Sequence, residues 1–248
     1  MHILKRNIIC ALAGFILVLA AMGAACYFAE AAVNKSKYPV FGVDVSNWQG
    51  VIDWQEFEHQ GVSFAFIKAT EGSGHVDESA RYNLENAAET DIRISAYHFF
   101  SFDSSGETQA ENFISVVDRD AIDMPPVVDI EYYGNKRLNK PSKDETEEIL
   151  LPLLEALEEY YGVKPIIYTT IPVYFRYVKD DFGDYPLWIR SVNFEPDLVD
   201  WKFWQYCDHG RLDGYEGDEQ YIDLNVYCGS EEQFDSEFGI CDPRSTND

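Results

Sequence analysis

The chain has 248 residues, 46% of them hydrophobic and 15% aromatic, which is enough apolar material for one large core. Its 44 acidic residues outnumber 19 basic ones, for a net charge of −25. This excludes nucleic acid and anionic lipid as partners, because phosphate binders gain affinity by setting Lys and Arg clusters against the phosphates. A neutral or mixed-charge glycan remains compatible, and the acidity otherwise reads as a solubility feature.

Lys5 and Arg6 precede a nearly unbroken apolar run from Ile8 to Ala29, the pattern of an export signal. The run is long enough for a signal peptide or for one membrane-spanning helix of about 20 residues, and Ala29-Glu30-Ala31 offers a small-x-small cleavage site. The expected location is extracytoplasmic, either secreted or anchored by that segment.

Eight strand-like runs follow, at 40–45, 64–70, 93–100, 125–131, 165–170, 186–191, 202–206 and 222–228. Helix-like stretches separate the first five. The clearest is 142–161, where Ser142 and Glu145 form a capping box, Leu150, Leu153, Leu154 and Leu157 make one apolar stripe, and Gly162 ends the helix. A shorter helix starts at Asp53, has Glu56 three residues on, and stops at Gly61. After residue 170 the gaps leave room for one short helix at 171–178. Alternation of this kind predicts an α/β fold with a helix-covered parallel sheet, and eight strands permit closure into a barrel. An open doubly wound sheet is the competitor, but the turn after the first strand reads SNWQG, without a glycine-rich phosphate fingerprint. No linker or repeat divides the chain after residue 40, so one domain is expected.

In β/α barrels the reactive groups collect at the C-terminal ends of the strands. Asp44 lies near the end of the first run, Asp129 and Glu131 close the fourth, and Asp223 falls in the last. Closure would make the first and eighth strands neighbours and bring Asp44 to Asp223. Asp129 and Glu131, two apart on a strand, point the same way, while Val128 and Ile130 point the other. Two carboxylates buried side by side cannot both ionise cheaply, so one is expected to hold a proton near neutrality. An acid beside a carboxylate is what glycoside hydrolysis needs. A chance DxE or an ion-paired structural one is the competing explanation. The apolar lead-in Pro125–Val128, the aromatics Tyr132 and Tyr133 and two further rim acids weigh against it.

These motifs resemble family 25 glycoside hydrolases, the Chalaropsis-type lysozymes or N-acetylmuramidases, along residues 40–228. The resemblance rests on FGVDVSNWQG (41–50), FAFIKATEG (64–72), AYHFF (96–100), VVDIE (127–131), YTT, LWIR, FWQY and YIDLN (221–225), in that order. It implies a flattened TIM-like (β/α)5(β)3 barrel that cuts the β-1,4 bond between N-acetylmuramic acid and N-acetylglucosamine in peptidoglycan. By position, Glu131 matches the general acid/base and Asp129 the carboxylate that assists the substrate's own N-acetyl group; Asp44 and Asp223 match the remaining rim acids. Lys68, Tyr97, Tyr168, Trp188 and Gln205, late in their strands, are the expected substrate contacts. Each has a structural alternative: Tyr97 and Trp188 as core, Lys68 as partner of Glu71. His98 is set aside as a core residue.

The expected organisation is 1–31 signal peptide or membrane anchor, 32–39 short linker, 40–230 catalytic barrel and 231–248 acidic C-terminal tail. The partner is the peptidoglycan glycan strand, the state monomeric, and no cofactor is implied. Cys207, Cys228 and Cys241 allow one disulfide with open connectivity, and they lack metal-ligand spacing. The acidity argues against action on intact, teichoic-acid-bearing walls. The competing functions are a family 18 chitinase-like hydrolase, disfavoured because its DxxDxDxE pattern needs aspartates where Met124 and Val127 stand, and a glycan-binding barrel without catalysis.

Overall fold

A computed structural model describes residues 36–238. The apolar N-terminal run and Cys241 lie outside the described residues, among which no helix is long and apolar enough to cross a membrane.

The strands are β1 (Phe41–Val45), β2 (Phe64–Glu71), β3 (His75–Val76), β4 (Arg93–Phe99), β5 (Val127–Ile130), β6 (Ile166–Thr170), β7 (Leu187–Arg190), β8 (Phe203–Gly210) and β9 (Ile222–Tyr227). The helices are α1 (Trp54–His59), α2 (Ala80–Ala87), α3 (Gly106–Ile114), α4 (Lys143–Tyr161), α5 (Ile171–Val173, continued by a π-turn over Tyr174–Val178) and α6 (Glu231–Phe238). Eight strands close into a ring in the order β1-β2-β4-β5-β6-β7-β8-β9 and back to β1, with β3 a short extension hairpinned onto β2. The eight expected strands are all present, and five of them are each followed by a helix, as the (β/α)5(β)3 reading requires.

Within the ring one strand departs from the parallel arrangement: β9 runs antiparallel to both neighbours, β8 and β1. The connection over residues 211–221 falls short of the dozen or more residues that a parallel return needs, so the chain comes back antiparallel.

Period-two alternation divides the core. Val43, Ala65, Ile67, Ile94, Val128, Ile130 and Ile167 face outward against the helices. Phe64, Phe66, Val127, Ile166, Trp188, Phe203 and Tyr227 fill the barrel interior. The local signals act as expected. Ser142 and Glu145 cap α4 reciprocally, with Ser142 N–H donating to Glu145 Oε2 (2.9 Å) and Glu145 N–H to Ser142 Oγ (3.2 Å), and Gly162 takes the left-handed conformation (φ 77°) that ends it. Asp53 caps α1 through Glu56 N–H at 3.0 Å.

Two stretches expected to be featureless are packed. Residues 231–238, read as acidic tail, form α6, whose Phe234 and Phe238 close the barrel floor against Phe64, Phe203 and Tyr227. Acidic residues dominate its solvent side and mask the two-aromatic stripe. In the expected linker, Tyr38 is buried against Trp201 and Trp204 and donates its hydroxyl to Glu195.

Candidate active site

At the C-terminal end of the parallel strands a cavity of about 630 Å³ opens, within the range of roughly 300–1,000 Å³ usual for ligand sites. All nine residues singled out from the sequence line it: Asp44, Lys68, Tyr97, Asp129, Glu131, Tyr168, Trp188, Gln205 and Asp223. Strand register explains the convergence. Asp44 and Asp223 are direct partners across the β1–β9 pair although 179 positions separate them, and Asp129 stands opposite Tyr168 across β5–β6.

Asp44 is the hub of a hydrogen-bonded network. Its Oδ1 accepts from Gln205 Nε2 (2.9 Å) and from Asn225 Nδ2 (2.7 Å). Tyr168 donates its hydroxyl to Gln205 Oε1 (2.9 Å), and Trp188 its indole N–H to Asn225 Oδ1 (2.8 Å). The two amides thus have their donor and acceptor ends sorted by the aromatics behind them. Trp188 is buried, with Phe66 stacked on one ring face at 4.1 Å. Its role at the cavity is the hydrogen bond that orients Asn225.

Asp129 is buried, and Asp44, Glu131 and Asp223 are half-buried around it. Burial pushes the Asp129 carboxyl well above its ordinary value, and the Glu131 charge beside it pushes further. Asp129 Oδ1 has no hydrogen-bond partner among the described residues. Burial also raises Glu131, against the pull of Arg190 and Arg137. Asp223 is pushed up to about 9 by burial, then by the Asp44 charge, with which it shares a hydrogen bond. Asp44 itself is raised by burial, less because Asn225 and Gln205 hydrogen-bond its charged form. Four acids in so little water cannot all ionise at neutral pH, so the site carries protons. Tyr97 and Tyr168 are raised far above their ordinary values, burial being the main cause, and stay neutral donors.

Lys68 pairs its Nζ with Glu71 at 2.9 Å, as the structural alternative expected, sits 5.1 Å over the Phe99 ring, and also lines the cavity. His98 is a satisfied core residue, bonded to Thr70 Oγ1 (2.7 Å) and Gln109 Oε1 (3.0 Å), and burial lowers it to about 4. Among the described residues Cys228 has no disulfide partner.

Sequence reasoning missed several lining residues: Ser46, Trp48, Gln49, Phe99, Asp208, His209, Glu219 and Tyr221. It also missed Asn225 and Arg190, the latter paired with Asp208. Alternation from Trp188 to Arg190 and from Asp223 to Asn225 could have found those two. Asp208 and His209 follow register shifts in β8, which no periodicity announces.

The family model for glycosyl hydrolases family 25 matches residues 43–215. The chain belongs to family 25 of the glycosyl hydrolases. It is therefore a glycoside hydrolase. A solved family 25 glycosyl hydrolase from Bacillus anthracis is 49% identical, with a TM-score of 0.76 over 81% of this chain and 94% of that one. A bacterial lysozyme from Streptomyces coelicolor superposes with a TM-score of 0.68 at 29% identity, covering 81% and 97% of the two chains. Lysozyme M1 of Streptomyces globisporus is 30% identical over 204 residues, 77% of this chain and 68% of that protein.

Proposed function

We propose that this family 25 hydrolase is a muramidase, which cuts the β-1,4 bond between N-acetylmuramic acid and N-acetylglucosamine in peptidoglycan. The observation that carries the reading is the acid pair of buried Asp129 and half-buried Glu131, both with raised proton affinity, facing one cavity at the strand ends. The lysozyme relative supports the substrate class.

In this mechanism Glu131 gives its proton to the glycosidic oxygen as the bond from that oxygen to the sugar's C1 breaks. The carbonyl oxygen of the substrate's own N-acetyl group closes on C1 from the opposite face. Asp129 accepts a hydrogen bond from the acetamido N–H and stabilises the cyclic cation that forms. Glu131, now ionised, takes a proton from water, which opens the ring and regenerates the acid. Substrate itself sorts the protons. An acetamido N–H beside Asp129 favours its charged form, so the pair's remaining proton rests on Glu131. The network from Tyr168 and Trp188 through Gln205 and Asn225 holds Asp44 in place, the Asp44 charge helps hold the proton on the pair, and Asp223, itself protonated, shares a hydrogen bond with Asp44. Lys68 and Tyr97 contact the sugar.

Because the substrate lies outside the cytoplasm, the N-terminal apolar segment serves export or anchoring. One chain supplies the whole cavity, so a monomer suffices. The test is digestion of purified peptidoglycan with borohydride reduction of the new ends. Reduced muramic acid is the expected product, and Glu131→Gln should abolish its release with the fold intact. Reduced glucosamine would overturn the bond assignment, and strand binding without any cleavage would favour a non-catalytic barrel.

A further inference from the structure

Around the ring, β5 and β9 stand four strands apart in either direction. The acid pair therefore faces a wall built from the loop after β1 and the hairpin between β8 and β9. These two segments are clasped. Glu219 N–H donates to the Trp48 carbonyl (3.1 Å), Asp53 N–H to the Gly214 carbonyl (2.7 Å) and Gln49 Nε2 to the Tyr221 carbonyl (3.3 Å). Gly50, with φ 66°, packs backbone to backbone against Gly217, where an added Cβ would stand 2.1 Å from the Trp48 carbonyl oxygen.

Trp48 sits at the centre of this clasp with its backbone held on both sides: its N–H donates to Ser46 Oγ (3.3 Å) and its carbonyl accepts from Glu219. The residue is nevertheless 60% exposed and lines the cavity. Of the five tryptophans it alone is exposed. An exposed aromatic ring on a backbone already fixed by hydrogen bonds offers an apolar contact surface, and the backbone beneath it needs no ordering on binding. Glu219 and Tyr221 line the cavity on the same wall and present polar groups at its rim.

We propose that Trp48 is the stacking platform of a distal glycan subsite, across the mouth from Asp129 and Glu131, which grips the strand beyond the bond to be cut. The proposal rests on the muramidase reading and sharpens it: the preferred substrate is an extended glycan strand, and Trp48 sets that preference.

The experiment uses the full chain carrying Glu131→Gln, so that binding is read without turnover. Soluble uncrosslinked glycan strands and the N-acetylglucosamine–N-acetylmuramic acid disaccharide are titrated by calorimetry. Trp48→Ala should lower the ratio of strand to disaccharide affinity by on the order of tenfold, the effect of removing an aromatic anchor, and Trp48→Tyr should restore most of it. In the active chain, Trp48→Ala should raise KM for strands by a similar factor. An unchanged affinity ratio in Trp48→Ala overturns the proposal, as does failure of Trp48→Tyr to recover it. If wild-type chain releases no reducing ends while strand affinity still depends on Trp48, the muramidase reading fails and the platform stands.

Discussion

Asp223→Asn should make the protein more stable at neutral pH, by an amount that grows with pH. Burial and the Asp44 charge push the Asp223 carboxyl up to about 9, whereas its ordinary value is 3.8. Between those values the unfolded chain has released a proton that the folded chain keeps, so stability falls as pH rises, by at most about 1.4 kcal/mol per pH unit. Below about pH 4 both states are protonated and this loss is absent. Above about 9 both are ionised and the fall has ended. The substituted asparagine keeps the shape, donates an N–H to Asp44 and does not titrate. Asp223 retains some solvent contact and shares its proton with Asp44, so the gain is discounted to on the order of 2 kcal/mol at pH 7.5. For a domain of this size that is a rise in Tm of about 5 °C. Thermal melts followed by circular dichroism, for both proteins at pH 4.5, 6 and 7.5, check it. The curves should nearly coincide at the lowest pH and separate steadily above it. Parallel Tm profiles, or a variant that melts lower throughout, would refute the assignment of a half-buried, protonated Asp223.

In the proposed mechanism Glu131 must be protonated, so turnover should decline on an alkaline limb above the ordinary carboxylate range, set by the burial that raises this group. Asp44→Asn should slow turnover and move that limb to lower pH, because the Asp44 charge helps hold protons on Asp129 and Glu131; kcat against pH measures it, and an unchanged profile leaves Asp44 a structural residue. Gly106→Ala should destabilise by about 1–3 kcal/mol through overpacking, since its Cβ would stand 2.1 Å from the Ile149 carbonyl oxygen where α3 crosses α4. A urea midpoint equal to wild type would show that the two helices can part without cost.

Much of the site was legible because its signals are local. Asp129 and Glu131 share a face by the pleat of a strand, Ser142 and Gly162 bound a helix by their own hydrogen-bonding and backbone preferences, and the turn after β1 lacked phosphate-binding glycines. Asp44 meeting Asp223 followed from closure alone. Other features were not legible. Phe234 and Phe238 look like two aromatics in an acidic tail until a barrel floor exists for them to cover. Trp188 reads equally as sugar platform and core, and only Phe66 on its face and Asn225 on its N–H reveal an orienting role.

From its own order of residues the chain determined the strand and helix succession, the inward-facing acid pair and the helix ends, since each depends on neighbours within a few positions. Tertiary structure alone decided the antiparallel return of β9, the joining of Gln205 and Asn225 to Asp44, and the clasp that mounts Trp48. Those contacts link positions as many as 181 apart. They exist only once strand register, bulges and ring closure have set which side chains share one cavity, and short-range periodicity carries no information about that.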